Sequence, residues 1–473
     1  MHGEDRKAMA RPKPATTSAR PRAGSADERR PTAAEIVIIS NMNVDFAEFH
    51  RKSRPQLIQA YRMLLDLHLE SEFAGSYGIT GRTLEVLHDE APDVIERMKA
   101  GMRRGLLEFL SYTQYHVHPF FSTEAEFARD VRAGIETFAR VLGQRPAGFH
   151  PPEFFHLSTA ALKELGIRYT VLYADAVDAP AGAEPHAMVK VRGHGRTTLP
   201  AALVPRDSFR SAGHIFASAR DVFWRQFQSV PLVTGKYAYL QYDAEIILMR
   251  EFRDEEQYVY AGSPEEISLE RAQELLGNFA AAVGELRERG YRFIRVGDVY
   301  REERGKPLPV YRARTDLGTA TPLTWSNTTE KRLALGFFHL ANVLGQRLRE
   351  EVEQDLRLVE TQLLYLKGSD HLGFEPPIER IERTSGFARN LCNSLAYRLA
   401  AFDTPQSLYQ DCALELDRFY QDRLEQSAPP EFADFLRQLF GVATAATTRA
   451  GALTVPPENA GTALGPDGEG SDA

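Results

Sequence analysis

The chain has 473 residues, 43% of them hydrophobic and 26% charged, with a formal net charge of −8. That length exceeds what one small core needs and suits a large α/β unit followed by a second, helical one. The negative balance argues against nucleic acid as a partner, and no apolar run approaches the roughly 18 residues of a membrane span.

Residues 1–33 are basic and rich in Arg, Pro, Ala and Ser, without the apolar core of a secretory signal. They read as a disordered tail, as do residues 446–473, and a cytoplasmic protein is the default expectation. Between the tails the pattern alternates. Ile36–Ile39 reads as a strand, and Pro55–Leu69 as a helix with Leu57, Ile58, Tyr61, Leu64 and Leu65 on one face. Phe73–Tyr77 is a second strand, Thr80–Leu87 and Pro92–Ala100 are helices, and Leu106–Leu110 is a third strand. Glu124–Leu142 is a long helix with Phe127, Val131, Ile135, Phe138 and Val141 along one side. Ala147–Phe149, Tyr169–Leu172, Tyr237–Tyr242 and Phe293–Val296 supply further strands, with helices at Ser158–Leu165 and Glu270–Arg289. The stretch Lys190–Ser218 breaks the alternation and reads as an excursion.

Repeated βα units predict an α/β fold: a parallel sheet over residues 34–310, closed or nearly closed as a (β/α)7-type, incomplete TIM-like barrel. Pro307–Thr324 reads as a loop. Helices follow at Glu330–Val352, Leu356–Leu366, Ile378–Ala401 and Ser407–Glu425, giving an all-α domain over residues 320–440. Cys392 and Cys412 lie there without CxxC spacing and read as buried free thiols, neither a disulfide framework nor a zinc site.

Two acids stand out. Gly148-Phe149-His150-Pro151-Pro152-Glu153-Phe154-Phe155 sets Glu153 behind two prolines that stiffen the backbone, among aromatics, just after an apolar strand. Tyr239-Leu240-Gln241-Tyr242-Asp243-Ala244-Glu245 ends another strand in acids. A turn with a solvated glutamate and an aspartate capping the next helix would explain each singly. Both after apolar strands, they suit glycoside cleavage, which uses two carboxyl groups flanking the scissile bond.

These segments resemble motifs of glycoside hydrolase family 57, over roughly residues 35–425. Gly105-Leu106-Leu107-Glu108-Phe109-Leu110 with Tyr115-His116-Val117-His118-Pro119-Phe120 looks like its second motif. Gly148–Phe155 looks like the third, Tyr242-Asp243-Ala244-Glu245 the fourth, and Gly368-Ser369-Asp370-His371-Leu372-Gly373-Phe374 the fifth. The resemblance implies that Glu153 is the nucleophile, that Asp243 is the general acid/base, and that the helical domain packs over the barrel mouth and lends Asp370 to the cleft. It implies an α-linked glucan or oligosaccharide as substrate, with hydrolysis or transfer as outcome. Asp45, Glu108, Glu153 and Asp243 are all expected at the C-terminal strand ends, where barrel active sites lie. Asn43, His118, His150, Tyr242, Glu245 and Trp325 complete the expected substrate-binding set.

The first motif departs from the family. Its His-Gln-Pro is replaced by Asn41-Met42-Asn43-Val44-Asp45-Phe46, so the imidazole is gone, although Asn43 and Asp45 can still bond hydroxyls. The fifth motif lacks its usual Trp. His116, His118, His150 and His156 could be read as a zinc set. In α-mannosidases a His-x-His-x-Asp pattern holds a metal at this mouth. Here it falls on Asn41, Asn43 and Asp45, and amides are poor zinc ligands, so no metal or other cofactor is expected. A metal-dependent deacetylase and a carbohydrate-binding homologue without catalysis are the alternative readings.

Overall fold

A computed structural model describes residues 35–44, 54–117, 122–154, 158–180, 186–193, 195–205, 232–234, 236–244, 250–254, 257–260, 269–313, 328–352, 364, 366–367, 378–424 and 426–442. In its first part strands and helices alternate: β1 (Glu35–Met42), α1 (Arg54–Ser71), β2 (Gly75–Ile79), α2 (Gly81–Glu90), α3 (Pro92–Arg103), β3 (Leu107–Ser111), α4 (Glu124–Leu142), β4 (Gly148–Phe149), α5 (Thr159–Glu164) and β5 (Tyr169–Tyr173). There follow β6 (Met188–Arg192), β7 (Thr198–Val204), β8 (Leu232–Val233), β9 (Tyr237–Asp243), α6 (Leu269–Glu288), β12 (Arg292–Ile294), α7 (Val296–Glu303) and β13 (Val310–Arg312). A separate antiparallel pair, β10 (Arg250–Asp254) and β11 (Gln257–Tyr260), stands outside the main sheet.

The main sheet runs β13-β6-β7-β5-β4-β3-β2-β1-β9-β8, with β12 also on β1. Its centre is parallel, as the βα alternation requires, while β6–β7 and β8–β9 pair antiparallel at the margins. The incomplete barrel expected from sequence is thus observed, as a curled mixed sheet. Side-chain alternation divides each strand. Ile36, Ile38, Leu240, Tyr77 and Phe109 face outward into a core with α1, α2, α3 and α6. Val37, Ile39, Leu110, Val171, Val204 and Tyr239 face the lumen.

Each apolar face named for α1 and α4 in the sequence is buried. α4 starts at a capping box: Glu126 N–H donates to the Thr123 hydroxyl, and Thr123 N–H to the Glu126 carboxylate. It ends at Gly143 with φ 78°, the left-handed position glycine fills freely. The interval read as a loop around residues 307–324 holds β13, which pairs with β6. Of the excursion, residues 188–204 form the β6–β7 hairpin.

Helices α8 (Thr329–Val352), α9 (Ile378–Leu399), α10 (Pro405–Leu424) and α11 (Pro430–Phe440) share a second core around Leu335, Phe338, Leu395, Leu416, Tyr420 and Phe432. Cys392 and Cys412 lie within it, buried and unbridged, and burial pushes the Cys412 thiol up to about 12. The two parts meet at a buried ion pair, Lys367 Nζ to Glu126 Oε1 at 2.6 Å. Burial alone would raise the Glu126 carboxyl. The charge and hydrogen bond of Lys367, with the Thr123 cap, outweigh it and hold the group below the usual carboxylate range. Among the described residues no helix is long and apolar enough to cross a membrane.

Candidate active site

The mouth of the lumen is formed where β1, β2, β3, β4, β5 and β9 end. Register aligns Met42 with Ile79 and Ile79 with Ser111, and sets Asn41 beside Asp243. Because Tyr237 and Tyr239 face the lumen, alternation puts Gln241 on that side of β9 as well. Glu153 follows β4 inside a 3₁₀ turn, Pro152–Phe154, at the same end of the sheet. The backbones of both expected catalytic acids are therefore at the strand exits. Their side chains lie outside the described residues, as do Asp45, His118, Glu245, Trp325 and Asp370 altogether.

Between these exits the described side chains form a chain of contacts. His150 is buried; its Nδ1 lies 3.2 Å from the Pro151 carbonyl and its Nε2 3.4 Å from the Tyr112 hydroxyl. A carbonyl can only accept, so Nδ1 carries the proton and Nε2 accepts from Tyr112. Burial lowers the imidazole to about 3, so it stays neutral at any ordinary pH. The ring packs on Tyr112 at 4.5 Å and on Phe154 at 4.4 Å. Phe154 has φ 60°, a conformation that costs a residue with a β-carbon on the order of 1 kcal/mol. It is held there by stacking on Tyr173 at 4.1 Å and 28°. The Tyr173 hydroxyl in turn donates to Gln241 Oε1 at 2.9 Å. In the sheet β5 and β9 are separated by β4, β3, β2 and β1, so this bond spans the lumen.

The Asn41 Oδ1 is buried and meets no donor among the described residues. Asn43 is buried too, its backbone N–H and C=O both bonded to the Tyr61 hydroxyl. Below the mouth, α4 crosses the segment after β3 so closely that a β-carbon at Gly134 would stand 2.5 Å from the Tyr112 carbonyl oxygen. Asp130, one turn earlier on α4, is fully buried there, and burial raises its carboxyl to about 7. The Thr113 hydroxyl, the amides of Tyr115 and Gln114 and the nearby His116 pull it the other way. His116 has φ 56° and is buried against Tyr112.

Two expected site residues are elsewhere. Glu108 is the second residue of β3, about 10 Å below the exit at Ser111. Its carboxylate accepts from the Ser76 hydroxyl at 2.8 Å, from Gly297 N–H at 2.9 Å and from the Tyr169 hydroxyl. Val296 N–H donates to Ser76 Oγ, so Glu108 and Ser76 together satisfy the open N-terminus of α7. The Glu108 carboxylate is thus committed to this network, away from the exit. Tyr242 points into the core outside the sheet, where its hydroxyl bonds that of Tyr77 at 2.8 Å. Tyr173 and Gln241 were missed from sequence, since their meeting depends on how far the sheet curls. Among the described residues no three His, Cys, Asp or Glu side chains lie together as a metal set.

Residues 33–257 match the model of glycosyl hydrolase family 57. No curated protein matches the chain in sequence. Among solved structures it is similar to the family-57-type branching enzyme of Pyrococcus horikoshii, a hyperthermophilic archaeon, with TM-score 0.53 and 11% identity, covering 87% of this chain and 95% of that one. The α-amylase AmyC of Thermotoga maritima gives TM-score 0.52 at 10% identity, covering 86% and 99%. The 4-α-glucanotransferase of Thermococcus litoralis gives 0.52 at 14%, covering 76% of this chain, which spans 58% of that longer one. At such identities these likenesses speak to fold. The stretch matched by the family model takes in the segments Gly105–Phe155 and Tyr242–Glu245, whose residues resemble the motifs of glycosyl hydrolase family 57.

Proposed function

We propose that this protein is a retaining glycosidase or transglycosylase acting on an α-linked glucan or oligosaccharide. Glu153 attacks the anomeric carbon, and Asp243, protonated, donates to the departing oxygen. A glycosyl ester on Glu153 results. Asp243, now a carboxylate, then takes a proton from water, giving hydrolysis, or from a sugar hydroxyl, giving transfer. Two carboxyl groups sharing one cleft push their pKa values apart, which keeps one of them acidic near neutrality.

The observation that carries this reading is the Phe154–Tyr173–Gln241 bridge. It joins the residue after Glu153 to the residue two before Asp243, from opposite sides of the lumen and at its mouth. The family match over residues 33–257 and the uncommitted Asn41 oxygen, a ready acceptor for a sugar hydroxyl, support it further. We take Asn43, Asp45, His118, Glu245, Trp325 and Asp370 as candidates for sugar contacts. The buried, neutral His150 serves to shape the wall behind Glu153.

The test is turnover of α-glucans and aryl α-glycosides by the wild type and by Glu153→Gln and Asp243→Asn, with products identified as hydrolysed or transferred. Both variants should keep the fold and lose turnover by at least about three orders of magnitude, the usual consequence of removing a covalent nucleophile or its proton donor. Wild-type-like rates in Glu153→Gln would remove the nucleophile assignment. Glucan binding without any product from the wild type would point to a non-catalytic homologue.

A further inference from the structure

We propose that Tyr173 is a positioning residue for this reaction, setting the separation of the two strand exits that carry Glu153 and Asp243. The inference rests on the catalytic reading above. Tyr173 is the last residue of β5 and has two distinct holds. Its ring face lies on Phe154, which shares the 3₁₀ turn with Glu153. Its hydroxyl donates to Gln241, two residues before Asp243 on β9. The first hold is apolar and fixes height above the sheet. The second is directional and fixes distance across the lumen, because a hydrogen bond weakens steeply outside its narrow range of length and angle.

The arrangement has the form of a strut. The turn Pro152–Phe154 contributes no ladder bonds of its own beyond β4, a strand of only two residues. Phe154 sits at φ 60°, so the turn needs an external contact to stay put. His150 backs Phe154 on one side and Tyr173 stacks on it as well. Retention requires carboxyl groups about 5–5.5 Å apart, and inversion about 6.5–9.5 Å. A misplacement of about 1 Å can cost a hundredfold in rate. A tyrosine whose length is spent between these two exits is placed to hold that separation.

The experiment is a double-mutant cycle in kcat and KM, using an aryl α-glycoside that the wild type turns over. Tyr173→Phe keeps the stacking ring and deletes the hydroxyl; Gln241→Met deletes its acceptor; the third variant carries both changes. Tyr173→Phe should lower kcat about tenfold or more with KM within about twofold, the pattern of an interaction that matters in the transition state. The double variant should be no worse than Tyr173→Phe alone, because both changes break one bond. Thermal midpoints measured beside the kinetics separate a stability loss from a rate loss, with all assays run well below melting. An unchanged kcat in Tyr173→Phe, or fully additive losses in the cycle, would overturn the role of Tyr173 while leaving the two acids in place. Full activity in Glu153→Gln would overturn both.

Discussion

Lys367→Met tests how the helical part is tied to the barrel. The Lys367 ammonium and the Glu126 carboxylate are each almost wholly buried, at 1% and 3% side-chain exposure. Deleting the cation leaves an anion in a site built around its partner. Breaking one side of a buried pair costs about 3–5 kcal/mol. For a unit of 150–250 residues each kcal/mol moves the midpoint by about 2–4 °C, so the expected loss is about 6–20 °C. The pH dependence has a defined sign. The Glu126 carboxyl lies below its usual value in the folded wild type, so its contribution is complete above the ordinary carboxylate range and is lost as pH falls through the lowered value. The deficit of Lys367→Met should therefore shrink toward pH 4, where the stranded carboxyl can protonate. Calorimetric melting at pH 7 and pH 4 reads both effects. Adding Glu126→Gln removes the stranded charge and keeps an oxygen for the Thr123 amide, so the double variant should recover most of the loss. A single variant melting within about 2 °C of wild type at pH 7, or a double variant no better than the single, would refute the reasoning.

Two further outcomes follow from α4. Asp130 has a folded-state pKa raised to about 7, so between the usual carboxylate range and pH 7 the native state binds more protons than the unfolded chain, and stability falls as pH rises through that window. Asp130→Asn should remove this loss, gaining up to about 4 kcal/mol over wild type at pH 8 and much less at pH 4.5; equal denaturant midpoint shifts at the two pH values would contradict it. Gly134→Ala would ordinarily strengthen a helix by about 1 kcal/mol. Here the new carbon would press on the backbone at Tyr112 and Thr113, and a net destabilisation of about 1–3 kcal/mol is expected by denaturant titration, a stabilised variant being the contrary result.

Much of the barrel was legible because period and spacing carry it. Glu124–Leu142 was bounded to the residue, since Thr123 and Glu126 form a capping signature and Gly143 a stop signal. α11 carried equally plain signals, Pro430 at its start, Gly441 at its end and Phe432, Phe435, Leu436 and Phe440 between, and was overlooked. The errors at the site have physical reasons. Position within a parallel strand is depth in the barrel, and Glu108, second in its strand, could not be at the exit. Gln241 and Tyr242 are sequence neighbours, and the pleat sends neighbours to opposite faces, Tyr242 to the core outside the sheet. Sequence distance hides the Tyr173–Gln241 bond altogether, because its ends are 68 positions apart. Likewise Lys367 and Glu126 are 241 positions apart, and nothing local announces their pairing.

The knot of Glu108, Ser76, Tyr169 and the first turn of α7 ties strands β2, β3 and β5 to one helix end. Hydroxyls, amides and carboxylate satisfy one another there, so deleting any one of them strands another polar group inside the protein. That end of the barrel therefore answers to substitution as a unit and not residue by residue.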